Sequence, residues 1–481
     1  MNLRQIAFSG IRWNIVSMFF NVFGGLIQLY LLVRLLDESD FGLMALLNVV
    51  TNFALIFMDF GVSNGIIHKE KVNPTQLSTL YWLTLLFSFV ISLLVILLVP
   101  LIAWFFEEEA LRSLLYIVVL VIILNSFGHP MRILMNKQLK FDQLAMINIL
   151  GFLTSFVLTI FWAYNGYDVY ALLYGLLGRT VVEGLCSLLL GWRSYGLQWT
   201  FDLRSVDFFL KFGSFQMGEH LLTFFTQQFD TLLIGKILGT EVLGSYDVIK
   251  RLLLRPLQTI NPIITNVSFP LMSKVQQNIH TIAVLYLKQL NYICSLNFPI
   301  YLFLFVGSTS VIQLLFGAEW LVHEPLFQLL ALAFATMSTG SPVGSLLLAT
   351  GKADWGFYWN LLSFFIFPVT IYLGAYWGIL GIATALLILQ LCFVLPNYLL
   401  LIRPLIQSQW RVYFKQIFLP LSLALVMALV TGLLDYYLPL EGLWKLASLL
   451  FTGIGVYLGL SYRFNKQFIL DLLTLAGYGK H

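Results

Sequence analysis

The stretch Lys236–Thr259, KILGTEVLGSYDVIKRLLLRPLQT, carries two signals. Its first eleven residues repeat an earlier pattern, Arg34–Met44, RLLDESDFGLM, at an offset of 202 positions. Both run basic, apolar, Leu, then four mostly polar residues, then apolar and Gly. The remainder sets Lys250, Arg251 and Arg255 inside an otherwise apolar segment. A repeat and a set of charges in an apolar setting are the two facts from which the fold is read.

The surroundings fix the class. Charged residues are 10% of the chain and apolar ones 59%, against a usual ~25% and ~45–50%. Mean hydropathy is +0.87. The chain offers no polar block for a soluble domain and no charge-dense tail. The formal charge of +4 is too small to imply a nucleic-acid partner. Cys186, Cys294 and Cys392 all fall in apolar runs and read as small core hydrophobes. The first apolar run, 11–33, is too long for a signal-peptide core and reads as an uncleaved span.

A helix crossing ~30 Å of hydrocarbon needs about 20 mostly apolar residues. That criterion yields fourteen spans: 11–33, 41–65, 79–105, 113–135, 143–164, 169–192, 206–235, 243–272, 283–306, 325–348, 355–377, 380–402, 413–434 and 443–462. With the N-terminus in the cytoplasm, nineteen of the 27 basic residues fall on that side, among them Arg4, Arg12, Lys71, Arg132, Lys137, Lys140, Arg193 and Lys480. The outer loops receive only Arg34, Arg112, Lys236 and Lys445. This follows the positive-inside rule and puts both termini in the cytoplasm.

The repeated segments end spans 1 and 7, which run in the same direction. The halves are therefore parallel repeats about an axis along the membrane normal. At the same offset Asp59 pairs with Asn261. The expected fold is an all-α membrane protein of fourteen transmembrane helices. It comprises a six-helix lobe over 1–200, a second over 201–405, and two further helices with a cytoplasmic tail over 406–481.

Four stretches give the chain a likeness: LLVRLLDESDFGLMAL (31–46), DFGVSNGIIHKE (59–70), HPMRILMNKQLKF (129–141) and FDTLLIGKILGTEVLGSYDVIKRLLLRPLQ (229–258). Through roughly its first 400 residues the chain resembles the polysaccharide-transport flippases of the multidrug/oligosaccharidyl-lipid/polysaccharide exporter superfamily. The resemblance implies two six-helix lobes around a central cavity. It also implies export of lipid-linked sugar units by alternating access in a cell membrane. The partners implied are an anionic lipid-linked glycan, membrane lipids and other membrane proteins of polysaccharide assembly.

The charges inside spans are the candidate site. A charge at mid-bilayer costs ~2.5–3.5 kcal/mol on insertion scales, so it is expected to face a bundle interior or a hydrated cavity. Asp247, Arg251 and Arg255 are four apart and share one helix face, with Gln258 and Asn261 beyond. Lys250 lies beside them, near enough to the outer end to snorkel. Arg179 lies near the centre of the sixth span, one turn from Glu183. The two read either as a fold-holding ion pair or as a cavity cation tuned by an acid. Asp59, near the inner end of span 2 with Ser63 and Asn64, reads as a cap or loop anchor. Glu219 and Asp230 read as candidate ion-coupling acids, with Asp230 also placed to pair with Lys250 or Arg255. Arg132, Lys137 and Lys140 read as an ordinary basic loop, or as a first contact for a diphosphate.

Cations at these depths favour an anionic cargo head, and arginine's planar fork suits phosphate oxygens. The chain lacks G-x-x-x-x-G-K-[ST], H-E-x-x-H and C-x-x-C, so no ATP site, metal or cofactor is expected. Two alternatives stay open: a proton- or sodium-coupled exporter of drugs or metabolites, and a membrane-bound glycosyltransferase or polymerase of the same pathway. The first would centre on acids. The second would need a polar extramembrane loop with convergent catalytic residues, and loops here reach only about a dozen residues.

Overall fold

The computed structural model describes residues 3–59, 63, 65–66, 69, 72–195, 198–438, 440 and 442–475. It excludes the side chains of 3–12, 14–15, 193–195, 212, 215–216 and 475. Phe60, Gly61, Asn64, Lys71 and Lys480, and the side chains of Arg4, Arg12 and Arg193, thus lie outside the described residues.

Among the described residues the chain is helical, with no strand. Lipid offers backbone groups no water, so a spanning segment must satisfy its own N–H and C=O groups, as a helix does. Eleven segments are long and apolar enough to cross a membrane. Three further long helices, Leu3–Leu32, Asp207–Ile237 and Gly239–Lys274, fall outside that set. The last is the charged stretch quoted above, extended to 36 residues.

Two compact units divide the chain, Met1–Asp247 and Val248–His481. The first contains α1 (Leu3–Leu32), α2 (Glu38–Asp59), α3 (Pro74–Phe106), α4 (Ala110–Lys137), α5 (Phe141–Tyr164), α6 (Asp168–Tyr195), α7 (Asp207–Ile237) and the start of α8 (Gly239–Lys274). Helix α3 starts at a proline, where the missing N–H is no loss, and Gln76 accepts from the Asn73 backbone N–H at 3.2 Å. Its first two turns pack Leu77, Leu80 and Tyr81 against Met131 and Leu134 of α4 and Phe209 of α7.

The two repeated segments meet inside this unit. A methyl on Gly42 would overlap the Thr240 carbonyl, and one on Gly244 would overlap the Glu38 carbonyl. Residues 38 and 42 stand at the 202-residue offset from 240 and 244. Each glycine thus faces the repeat equivalent of the residue that its own counterpart faces. Only a residue without Cβ admits backbone at this separation. Beside this contact the Lys236 ammonium binds Glu107 at 2.7 Å, and the Thr240 hydroxyl donates to Glu108 at 2.6 Å.

The second unit takes the rest of α8 and then α9 (Ile279–Val306), α10 (Ser308–Leu315), α11 (Glu324–Ser338), α12 (Val343–Ala349) and α13 (Ala353–Ala375). Helix α14 (Gly378–Pro396) continues through a wider π-helical stretch, Asn397–Ile402, into a last turn, Arg403–Ile406. Then follow α15 (Trp410–Tyr437), α16 (Gly442–Phe464) and α17 (Lys466–Leu475).

The span expected at 325–348 falls within one stretch, Ala318–Ala349, that is long and apolar enough to cross a membrane, and Gly340 and Pro342 interrupt its helix between α11 and α12. Beyond 464 the described residues form one more short helix. This helix, α17, buries Phe468 and Ile469, and Asp471 there binds Lys288 at 2.7 Å. Cys294 is a buried core residue, but Cys392 is exposed on α14 and is not one.

Candidate functional site

Unit 1 sets two groups of charges on α2, α4 and α6, with Asn148 of α5 beside them. Helices α4 and α6 approach closely because Gly128 and Gly184 oppose each other: a Cβ on Gly128 would stand 2.8 Å from the Gly184 Cα. One turn along α4 from Gly128, Arg132 pairs with Glu183, the residue before Gly184, Nη1 to Oε2. Arg179 donates from Nε to Glu183 Oε1 at 2.7 Å. A carboxylate with only 9% of its side chain exposed thus lies between two guanidiniums. Gly151 of α5 makes room for it, since a Cβ there would lie 2.6 Å from Glu183 Cγ. Arg132 Nη2 also donates to Asn148 of α5 at 2.8 Å.

The two arginines are used differently. Arg132 commits both Nη atoms to protein partners. Arg179 binds through Nε alone, and its two Nη groups have no protein partner among the described residues. Its side chain is 37% exposed. The triad carries one net positive charge, presented on the uncommitted edge of a fork that suits two anionic oxygens at once.

A second cluster lies one turn back along α4. His129 Nε2 stands 3.0 Å from Asp59 Oδ1, which also accepts from the Ser63 hydroxyl and, at 3.2 Å, from the Ser63 backbone N–H. Asp59 therefore holds the Ser63 backbone and also meets a titratable partner on another helix.

Other candidates are dispersed. Asp230 accepts from the Tyr246 hydroxyl at 2.7 Å and from its neighbour Thr231. Asp247 is buried. Glu219 is exposed on α7. On α8, Arg251 and Gln258 are exposed, Lys250 and Arg255 half-buried, and Asn261 buried. Asn261 donates to the Ser341 hydroxyl at 2.7 Å and accepts from Asn297 at 2.8 Å, a neutral network within unit 2.

Arg132 corrects a sequence expectation. It is no loop residue, because α4 continues to Lys137 and carries Arg132 inside it. Lys137 likewise ends that helix and donates to the Ile66 and Lys69 carbonyls. His129 and Asn148 are the residues missed, together with the pairing of Arg132 to Glu183. The available signal was the spacing of His129 and Arg132, three apart and so on one helix face, within an apolar segment. Among the described residues no group of three or more His, Cys, Asp or Glu could hold a metal.

The fold and these charges define a multi-pass helical membrane protein with polar groups set inside its spans. Comparison with known proteins narrows this. Residues 31–325 match the family model described as "Polysaccharide biosynthesis protein", and the chain belongs to that family. It is 30% identical to the "Lipopolysaccharide biosynthesis protein WzxC" of Escherichia coli (strain K12), over 88% of this chain and 87% of that one. It is 28% identical to the "Teichuronic acid biosynthesis protein TuaB" of Bacillus subtilis (strain 168), again over 88% and 87%. Its fold is similar to that of the structure titled "Lipid II flippase MurJ, inward closed conformation", with a TM-score of 0.78, 16% identity and coverage of 95% of this chain and 100% of that one.

Proposed function

We propose that this protein carries a polyprenyl-diphosphate-linked oligosaccharide or polysaccharide repeat unit from the inner to the outer leaflet of the cell membrane by alternating access. The observation that carries the reading is the uncommitted fork of Arg179, backed by Glu183 and Arg132 on a half-exposed face. A diphosphate needs a cation that presents paired donors and stays charged at every physiological pH. A guanidinium does both, while Glu183 fixes its orientation. The names of two relatives, biosynthesis proteins of lipopolysaccharide and of teichuronic acid, support a cargo of this class.

In this reading all fourteen long helical segments cross the membrane and both termini are cytoplasmic. Two six-helix lobes, 1–200 and 201–405, rock about a central cavity, with 406–481 appended. The reciprocal contact of Gly42 and Gly244 supports the parallel-repeat relation. Arg255, Arg251 and Lys250, with Gln258 and Asn261, belong to the second half of the path. Asp59, Glu183, Glu219, Asp230 and Asp247 act as charge partners or as ion-coupling groups. The protein moves its cargo without covalent chemistry, and other membrane proteins of polysaccharide assembly supply and remove it.

The test is flipping of a defined lipid-linked oligosaccharide in liposomes by the wild type, Arg179→Ala and Arg132→Ala. Arg179→Ala is expected to abolish most transport while the protein still elutes and melts as folded. Normal flipping by a folded Arg179→Ala variant would remove the basis of the proposal.

A further inference from the structure

Unit 2 has a groove of about 1090 Å³ where α14 gives way to α15. Leu395 and Leu399 line it from α14, one turn apart and 53% and 42% exposed. Arg403, Trp410 and Arg411 complete the wall. No carboxylate lines it, and the chain has no acidic residue between Asp354 and Asp435. Neither guanidinium has a carboxylate partner among the described residues. Arg411 lies over the Trp410 ring at 5.4 Å.

The wall is built rather than incidental. The helix widens to π-type bonding over Asn397–Ile402, a change that often marks a functional position. Gln407, at φ 48°, turns the chain back after Ile406. Tyr398 stacks on Tyr413 with centroids 4.6 Å apart, and its hydroxyl donates to the Ser408 carbonyl at 2.8 Å. The Ser408 hydroxyl, in the lining, has no hydrogen-bond partner among the described residues.

The groove's depth follows from its flanking spans. Gly378–Ile406 and Trp410–Tyr437 are each long and apolar enough to cross a membrane. Three residues join them, so the groove opens where two spans leave the hydrocarbon. Leucines lie on the helix side, and arginines and a tryptophan lie at the level where headgroups and aromatic belts meet. We propose that this groove binds the phosphate headgroup of an anionic phospholipid. Arg403 and Arg411 grip the phosphate, and an acyl chain runs along Leu395 and Leu399. The groove's residues are distinct from those assigned to the cargo path, and the proposal does not rest on the translocation reading.

The test uses the full chain in nanodiscs of phosphatidylcholine with a minority of phosphatidylglycerol, followed by native mass spectrometry of retained lipid. The wild type is expected to retain phosphatidylglycerol over phosphatidylcholine. R403Q lowers that preference roughly fivefold, and R403Q/R411Q roughly thirtyfold. R403K/R411K restores part of it, because charge returns without the paired donors. High salt releases the lipid from the wild type, a readout that does not depend on any variant folding. Three outcomes overturn the proposal: equal retention by wild type and R403Q/R411Q, retention unaffected by salt, or displacement by inorganic pyrophosphate at concentrations comparable to the lipid. The last would mark a soluble phosphate as the occupant.

Discussion

Asp59 and Asn261 occupy the same place in the repeat, yet their surroundings differ in kind. Asp59 meets His129 and Ser63, next to a helix turn that adds Arg132, Arg179 and Glu183. Asn261 meets Asn297 and Ser341, and nearby Gln289 pairs with Ser345. Around these two positions the first unit places charged groups, and the second places neutral amides and hydroxyls. Neutral groups satisfy each other at short range and hold helices in register. Charges also do this, but they leave a field that an anionic ligand can use. Two positions 202 residues apart thus serve one as neutral scaffold and the other as part of an ionic cluster.

Breaking the charged side has the largest expected effect. Glu183→Ala leaves two arginines facing each other in the membrane. It is expected to destabilise the protein by about 3 kcal/mol, read as a lower melting temperature in detergent. Glu183→Gln, which still accepts hydrogen bonds, should lose less. The neutral side is next. Asn261→Ala strands a buried Asn297 donor and a Ser341 hydroxyl and is expected to cost about 2 kcal/mol, with no effect on the salt dependence of stability. An equal salt response in both variants would erase the contrast between the units.

The third prediction sharpens the role of charge against shape. Arg179→Lys keeps the cation but loses the fork, and a tenfold fall in flipping rate with unchanged melting is expected, equivalent to about 1.4 kcal/mol. Unchanged transport would mean that net charge alone suffices. The smallest effect concerns the tail. Burial raises the Asp471 pKa, but the Lys288 ammonium and the Tyr292 hydroxyl more than offset it, so the carboxyl is held below its usual range. A depressed carboxylate pKa stabilises the fold above its unfolded value, and that contribution disappears as pH falls through the folded value. Acidification below about pH 4 should therefore release α17, seen as protease sensitivity after Phe464, at a cost under about 1 kcal/mol.

The site was only half legible. Arg179 and Glu183 were readable because a four-residue spacing on one helix is a contact by geometry. Arg132 was not, since its partner lies 51 positions away on another helix and its own position matched that of an ordinary cytoplasmic cation. The groove beside Arg403 was hidden for a similar reason. Its two arginines satisfy the positive-inside pattern, and nothing local shows the widened helix that opens a space beside them.

The membrane class and most of the long helices were readable from the chain, because apolar length, charge placement and spacing exist before it folds. The tertiary structure alone decided which charges meet. Pairing between helices depends on where glycines let backbones approach, as Gly128 with Gly184 and Gly42 with Gly244 do here. A one-dimensional pattern does not contain those distances.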